Sequence, residues 1–208
     1  MSASPNPSAP RRRRTTSEQQ ILDATSALLE SGQRIPDIAV EDIIAAAGVS
    51  RSTFYQHFAG KPQLAFRLAA PAMADARAVA NSWWQEPTWH APADLVTNVS
   101  SLIEQGRRHR LAWLAIFDIA DRDPASGARV ESLVREYVAQ MAERISQEQR
   151  RGSISPNVSP AQLGRLILIT TRASILDHLA NGDPADDDAL AETLGQVLWL
   201  ALRQPSDD

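Results

Sequence analysis

Apolar residues at Val40, Ile43, Ile44 and Ala47 recur at the i, i+3, i+4, i+7 spacing of a helix with one buried face, and Gly48 follows them. Glycine accepts the left-handed backbone needed just past a helix end, so the pattern predicts a stop there. Val49 plugs the corner, and Ser50 offers an N-cap hydroxyl to a second helix. In that helix Phe54 and Phe58, four apart, share one face, while Arg51, Ser52, Thr53, Tyr55, Gln56 and His57 occupy the rest. Hydrogen-bonding side chains crowded on a short helix suit a DNA major groove, whose base edges present distinct donor and acceptor patterns. Taken alone, however, a helix pair around a glycine turn is as often a packed helical corner.

Elsewhere the periodicity is also helical. Ile21, Leu22, Thr25, Leu28 and Leu29 make a first stripe, capped by Thr16 or Ser17 and ended by Gly32. A helix opening at Lys61 and Pro62 is expected to run toward Trp84 with a kink at Pro71. After Pro87 and Pro92 the pattern predicts helices over about 93–108, 110–121, 125–151, 160–181 and 186–203. The helix over 125–151 has a single apolar stripe. That over 160–181 is different, with Leu163, Leu166, Ile167, Leu168, Ile169, Ile175, Leu176 and Leu179 around most of its circumference. The last helix has Leu190, Leu194, Val197, Leu198 and Ala201 as a stripe, with Trp199 and Leu200 beside it. This surplus predicts a homodimer through helices within 160–203. No segment has strand periodicity, so the expected fold class is all-α.

Composition narrows the picture. Of 208 residues, 43% are hydrophobic, ample for a core. Arg165, Arg172, Asp177 and His178 interrupt the longest apolar run, so no membrane span or membrane partner is expected. Arg11–Arg14 lack the apolar stretch of a secretory signal, which predicts a cytoplasmic protein. There is no cysteine and there are four scattered histidines, so no metal site and no cofactor is expected. The net charge of −4 is uneven: residues 1–67 hold eight basic against six acidic side chains, the remainder thirteen against nineteen. A DNA-facing N-terminal part thus precedes a body that DNA would repel. Lys61 is the single lysine.

The segments ILDATSALLESG at 21–32, VEDIIAAAGVSRSTFYQHF at 40–58 and Lys61 together resemble the tetracycline-repressor (TetR) family of bacterial regulators. IPDIAVEDI, SRSTFYQHF and an Arg-containing apolar helix ending LANGDP are similar to its ethionamide-resistance-repressor (EthR-like) subgroup. The resemblance implies about nine helices and a homodimer. It implies phosphate contacts at Tyr55, His57 and Lys61 and a base-reading surface of Arg51, Ser52, Thr53 and Gln56. Tyrosine and histidine donors and an ammonium can set register on phosphates, whereas Arg reads guanine and Gln reads adenine bidentately. Two departures stand out: Ala39 replaces the usual hydroxyl cap before VEDI, and Gly60 replaces the serine common before the lysine.

The implied organisation is a flexible basic arm over 1–16, a helix-turn-helix DNA-binding domain over 17–63, and an effector-binding and dimerisation domain over 64–208. Trp113, Phe117, Tyr137, Met141 and Ile167, with Asn98, Thr170 and Thr171 as polar handles, are the expected lining of a pocket for a small apolar or amphiphilic effector. The alternative is that the threonine hydroxyls bond back to the preceding turn. Trp83, Trp84, Trp89 and Trp199 are candidates for either core or cavity. The functional reading is a DNA-binding transcriptional repressor whose partners are operator DNA, a small hydrophobic effector and a second copy of the chain. The alternatives are an effector-independent DNA-binding protein and a small helical enzyme. The chain has no Gly-rich phosphate loop, HExxH or nucleophile elbow to support the latter.

Overall fold

A computed structural model describes residues 16–85 and 91–202, without the side chains of 80 and 82–85. The arginine run at 11–14, Trp89 and the side chains of Trp83 and Trp84 lie outside the described residues. Ten α-helices follow one another: α1 (Ser17–Glu30), α2 (Val40–Ala47), α3 (Arg51–His57), α4 (Lys61–Leu68), α5 (Ala70–Gln85), α6 (Pro92–Arg108), α7 (Arg110–Arg122), α8 (Pro124–Arg150), α9 (Pro160–Asn181) and α10 (Asp187–Leu202). A 3-10 turn at Pro184–Asp186 precedes α10. The expected kink near Pro71 is a break at Ala69 that separates α4 from α5, so among the described residues the α-helices number ten where about nine were expected.

Local chemistry sets the ends. Thr16 caps α1 by accepting from Gln19 N at 3.3 Å, and Ser50 caps α3 by accepting from Thr53 N at 3.1 Å. Ala39 gives α2 no side-chain cap, as its methyl group requires, and Ser159 makes no cap bond at α9. Gly48 ends α2 at φ 64°, the left-handed conformation the turn into α3 needs. Asp123 caps α8 through the backbone and hydroxyl of Ser126, and those two bonds hold its carboxyl below the usual carboxylate range.

Three apolar clusters fill the interior. The first joins Ile21, Ile43, Phe54 and Phe58 to Leu64 and Ala65 of α4, and also to Ala115 and Ile119 of α7. The second lies among α6, α8, α9 and α10. A smaller one, with Phe66, Ala69, Ala112 and Ile116, bridges α4 and α7. In the second, Gly195 lets α10 lie directly on α6: a Cβ there would stand 2.7 Å from Val96 N. Among the described residues no helix is long and apolar enough to cross a membrane.

Candidate DNA interface and ligand cavity

Phe54 and Phe58 are buried and hold α3 against α1 and α2. Arg51, Ser52, Gln56 and His57 are left exposed, Tyr55 is 45% exposed, and Thr53 is half-buried. The helix thus presents outward the set expected of it. Its front is pre-arranged: Ser50 Oγ lies 2.8 Å from both Ser52 Oγ and Thr53 Oγ1. Arg51 donates to Glu41 of α2 at 2.6 Å, and its guanidinium lies 5.5 Å from the Tyr55 ring centroid. Both members of this ion pair are well exposed, so it is worth at most about 1 kcal/mol.

Lys61 makes contacts that spacing does not reveal. Its Nζ donates to Pro36 O at 2.5 Å and Ile38 O at 3.0 Å. The ammonium thereby ties the start of α4 to the loop that feeds α2, in a half-buried position.

A cavity of about 320 Å³ opens among α5, α6, α7, α8 and α9. Four of the eight residues expected to line it do so: Trp113, Phe117, Tyr137 and Thr171. Trp113 and Phe117 stack with centroids 6.0 Å apart, and Arg172 lies 5.3 Å over the Phe117 ring. Burial pushes the Tyr137 phenol up to about 12, so it stays protonated. The other four expected residues lie elsewhere. Met141 and Ile167 belong to the α6/α8/α9/α10 core, where Met141 Sδ sits 3.5 Å from where a Cβ on Gly164 would be. Asn98 is half-buried on α6 away from the lining, and Thr170 is exposed. Thr170 and Thr171 are adjacent, and a rotation of about 100° per residue puts only one of them inside.

Sequence reasoning missed Gln105, Arg77 and Arg172, which also line the cavity. The signal for Gln105 was its neighbour. Gly106 continues the buried row of Leu95, Val99 and Ile103, which marks a close helix approach beside a polar side chain.

Helix α7 faces two ways. Trp113, Ile116 and Phe117 line the cavity, while Ala115 and Ile119 pack into the N-terminal core. Beyond them, Arg34 donates to both carboxylate oxygens of Asp118, and Arg122 donates to Asp37 at 3.0 Å. Both pairs clamp α7 to the loop before α2.

On the outer surface, Leu166 (62% exposed), Ile169, Val197 (51%) and Leu200 (73%) are uncovered apolar side chains of α9 and α10. Leu194 is not among them: it is buried in the protomer's own core. No group of three or more His, Asp or Glu side chains is placed to hold a metal among the described residues.

Comparisons with known proteins agree with this architecture. Residues 21–68 match the family model described as bacterial regulatory proteins, tetR family. No curated protein matches the chain. Among solved structures, GusR of Salmonella enterica is similar at 22% identity over 89% of this chain and 95% of its own, with a TM-score of 0.66. NalD, the secondary repressor of the MexAB-OprM multidrug efflux pump in Pseudomonas aeruginosa, is similar at 18% identity over 90% and 97%, with a TM-score of 0.71. The fatty acid degradation regulator FadR from Bacillus halodurans is similar at 16% over 93% and 100%, with a TM-score of 0.67. Residues 21–68 thus form a helix-turn-helix segment of the tetR family of bacterial regulatory proteins, set within a fold that solved tetR-type regulators share.

Proposed function

We propose that the chain is a cytoplasmic, dimeric transcriptional repressor that a small, mainly apolar effector releases from its operator. The observation that carries this reading is α7, one wall of the cavity and at the same time part of the N-terminal core. A ligand that displaces Trp113 or Phe117 bears on Ala115 and Ile119 on the opposite face of the same helix, and through Asp118 and Arg122 on the loop that positions α2. Such release requires the ligand to bind the two arrangements unequally.

Binding to DNA follows from α3. Arg51, Ser52, Thr53 and Gln56 face base edges, and Tyr55 and His57 face phosphates. Lys61 acts on the backbone through its remaining N–H and on α2 through the loop it ties. Two copies of α3 must enter major grooves about 34 Å apart. The uncovered side chains of α9 and α10 are the surface through which we place the twofold contact, an isologous one. The units 17–63 and 64–208 correspond to the DNA-binding and effector-binding parts. The narrower kinship with the ethionamide-resistance-repressor subgroup rests on IPDIAVEDI and LANGDP.

Selection of bound sequences from random DNA tests this reading, followed by light scattering of the complex. The expected product is an inverted repeat bound by an even number of protomers, with affinity falling steeply as salt rises. Binding without sequence preference, or by a protomer alone, would overturn it.

A further inference from the structure

Two buried polar atoms of residues that line the cavity find no hydrogen-bond partner among the described residues: Gln105 Oε1 on α6 and Thr171 Oγ1 on α9. Thr171 is only 6% exposed. A threonine inside a helix ordinarily returns its hydroxyl to the carbonyl four residues back. Thr25, Thr97 and Thr193 do so, at 2.7, 2.9 and 2.8 Å. Thr171 makes no such bond. Buried polar groups without partners are uncommon and ask for a cause.

The helices that carry them, α6 and α9, pack directly on each other. Gly106, next to Gln105, packs so closely that a Cβ there would lie 3.5 Å from Ile175 Cγ2, and Ile175 is one turn beyond Thr171. Around them the lining is aromatic and aliphatic, with Trp113, Phe117, Leu133 and Leu176. Three lining residues carry a formal charge. Arg172 lies over the Phe117 ring, and Arg77 and Glu136 are exposed residues of opposite sign.

We infer that the cavity takes an uncharged, mainly apolar molecule with a hydroxyl or amide N–H that donates to Gln105 Oε1 and lies against the Thr171 hydroxyl. An amide carbonyl oxygen only accepts, so the ligand must donate there; a threonine hydroxyl both donates and accepts, so it meets either the oxygen or the N–H of the same group. Ethers, esters and ionised carboxylates have no proton for Gln105. This inference rests on the reading of the cavity as the effector site, and it adds the class of ligand.

The test uses three probes of matched size, 1-octanol, its isomer methyl heptyl ether, and octanoate, titrated into the full chain with melting temperature and calorimetric affinity as readouts. The alcohol is expected to bind about tenfold or more tightly than the ether, the scale of one well-made hydrogen bond. Gln105→Leu and Thr171→Val are each expected to erase most of that preference while leaving ether affinity within about twofold, and Thr171→Ser to restore it. Ether or octanoate binding the wild-type chain as tightly as the alcohol would overturn the donor assignment and leave the effector site standing. If none of the three binds or raises the melting temperature, the effector site falls, and this inference with it.

Discussion

Helices α3 and α9 differ in how strictly they put apolar side chains inside and polar ones outside. In α3 the two phenylalanines are inside and every hydrogen-bonding side chain but the half-buried Thr53 is exposed. In α9 Leu163, Ile167, Ile175 and Leu179 are buried as expected, but Leu166 is 62% exposed and Thr171 6% exposed. A helix obeying the ordinary rule is complete within its own protomer, and its polar face is free to meet something aqueous such as a DNA groove. A helix breaking the rule on both faces is incomplete within the protomer. Uncovered leucine asks for an apolar surface, and enclosed threonine asks for a polar group.

Breaking the regular side has the largest effect. Phe54→Ala leaves a void between α1, α2 and α3 and is expected to lower stability by about 3–5 kcal/mol, with operator binding lost. Urea unfolding followed by circular dichroism measures it, and a change under about 1 kcal/mol would show that Phe54 does not anchor α3.

On the irregular side, Val197→Glu and Leu200→Glu put a charge into the proposed dimer contact, twice in an isologous interface, and should weaken association by on the order of 3 kcal/mol. Protomer helicity should persist, whereas Leu194→Glu should lose it, because Leu194 fills the protomer's own core. Sedimentation with circular dichroism separates the two outcomes; a dimer unchanged by Leu200→Glu would place the contact elsewhere.

The polar face of α3 is sharpened by substitutions at its front. Arg51→Ala or Gln56→Ala should relax preference at particular base pairs by about 1–3 kcal/mol, whereas Tyr55→Phe should weaken binding to all sequences alike. Lys61→Ala should do both modestly, through lost charge and a loosened α2 loop. Binding-site selection on each variant decides.

The smallest effect concerns the bundle's edge. The Arg107 guanidinium, donating to Asp187 at 2.6 Å, holds that carboxyl below its usual value, with His178 in support. A depressed carboxylate stabilises the fold above its unfolded value of about 3.9 and loses that contribution as pH falls through the folded value. Asp187→Asn should therefore cost at most about 1 kcal/mol at neutral pH, and its thermal stability should converge with the wild type in acid.

Most of the fold is legible in the chain, for a local reason. Helix ends follow from groups a few residues apart: Ser50 on Thr53, Gly48 past Ala47, Asp123 on Ser126. The candidate site is half legible. Trp113 and Phe117 are four apart on an amphipathic helix, so they share a face and line the cavity together. Met141 and Ile167 are just as apolar as the true lining, and nothing in their spacing separates core from cavity wall.

What the sequence by itself determined is each helix apart from the division of α4 from α5, its approximate limits, and the polar front of α3, because an amphipathic pattern has a phase and one face must go inside. Tertiary structure alone decided which side of α9 is enclosed, since a helix apolar nearly all round has no preferred phase. It likewise decided that Leu194 is core and Val197 is surface, that Lys61 holds two carbonyls more than twenty residues away, and that α7 belongs to both halves. Each of these depends on which neighbour stands opposite a side chain, and periodicity along one axis carries no information about that neighbour.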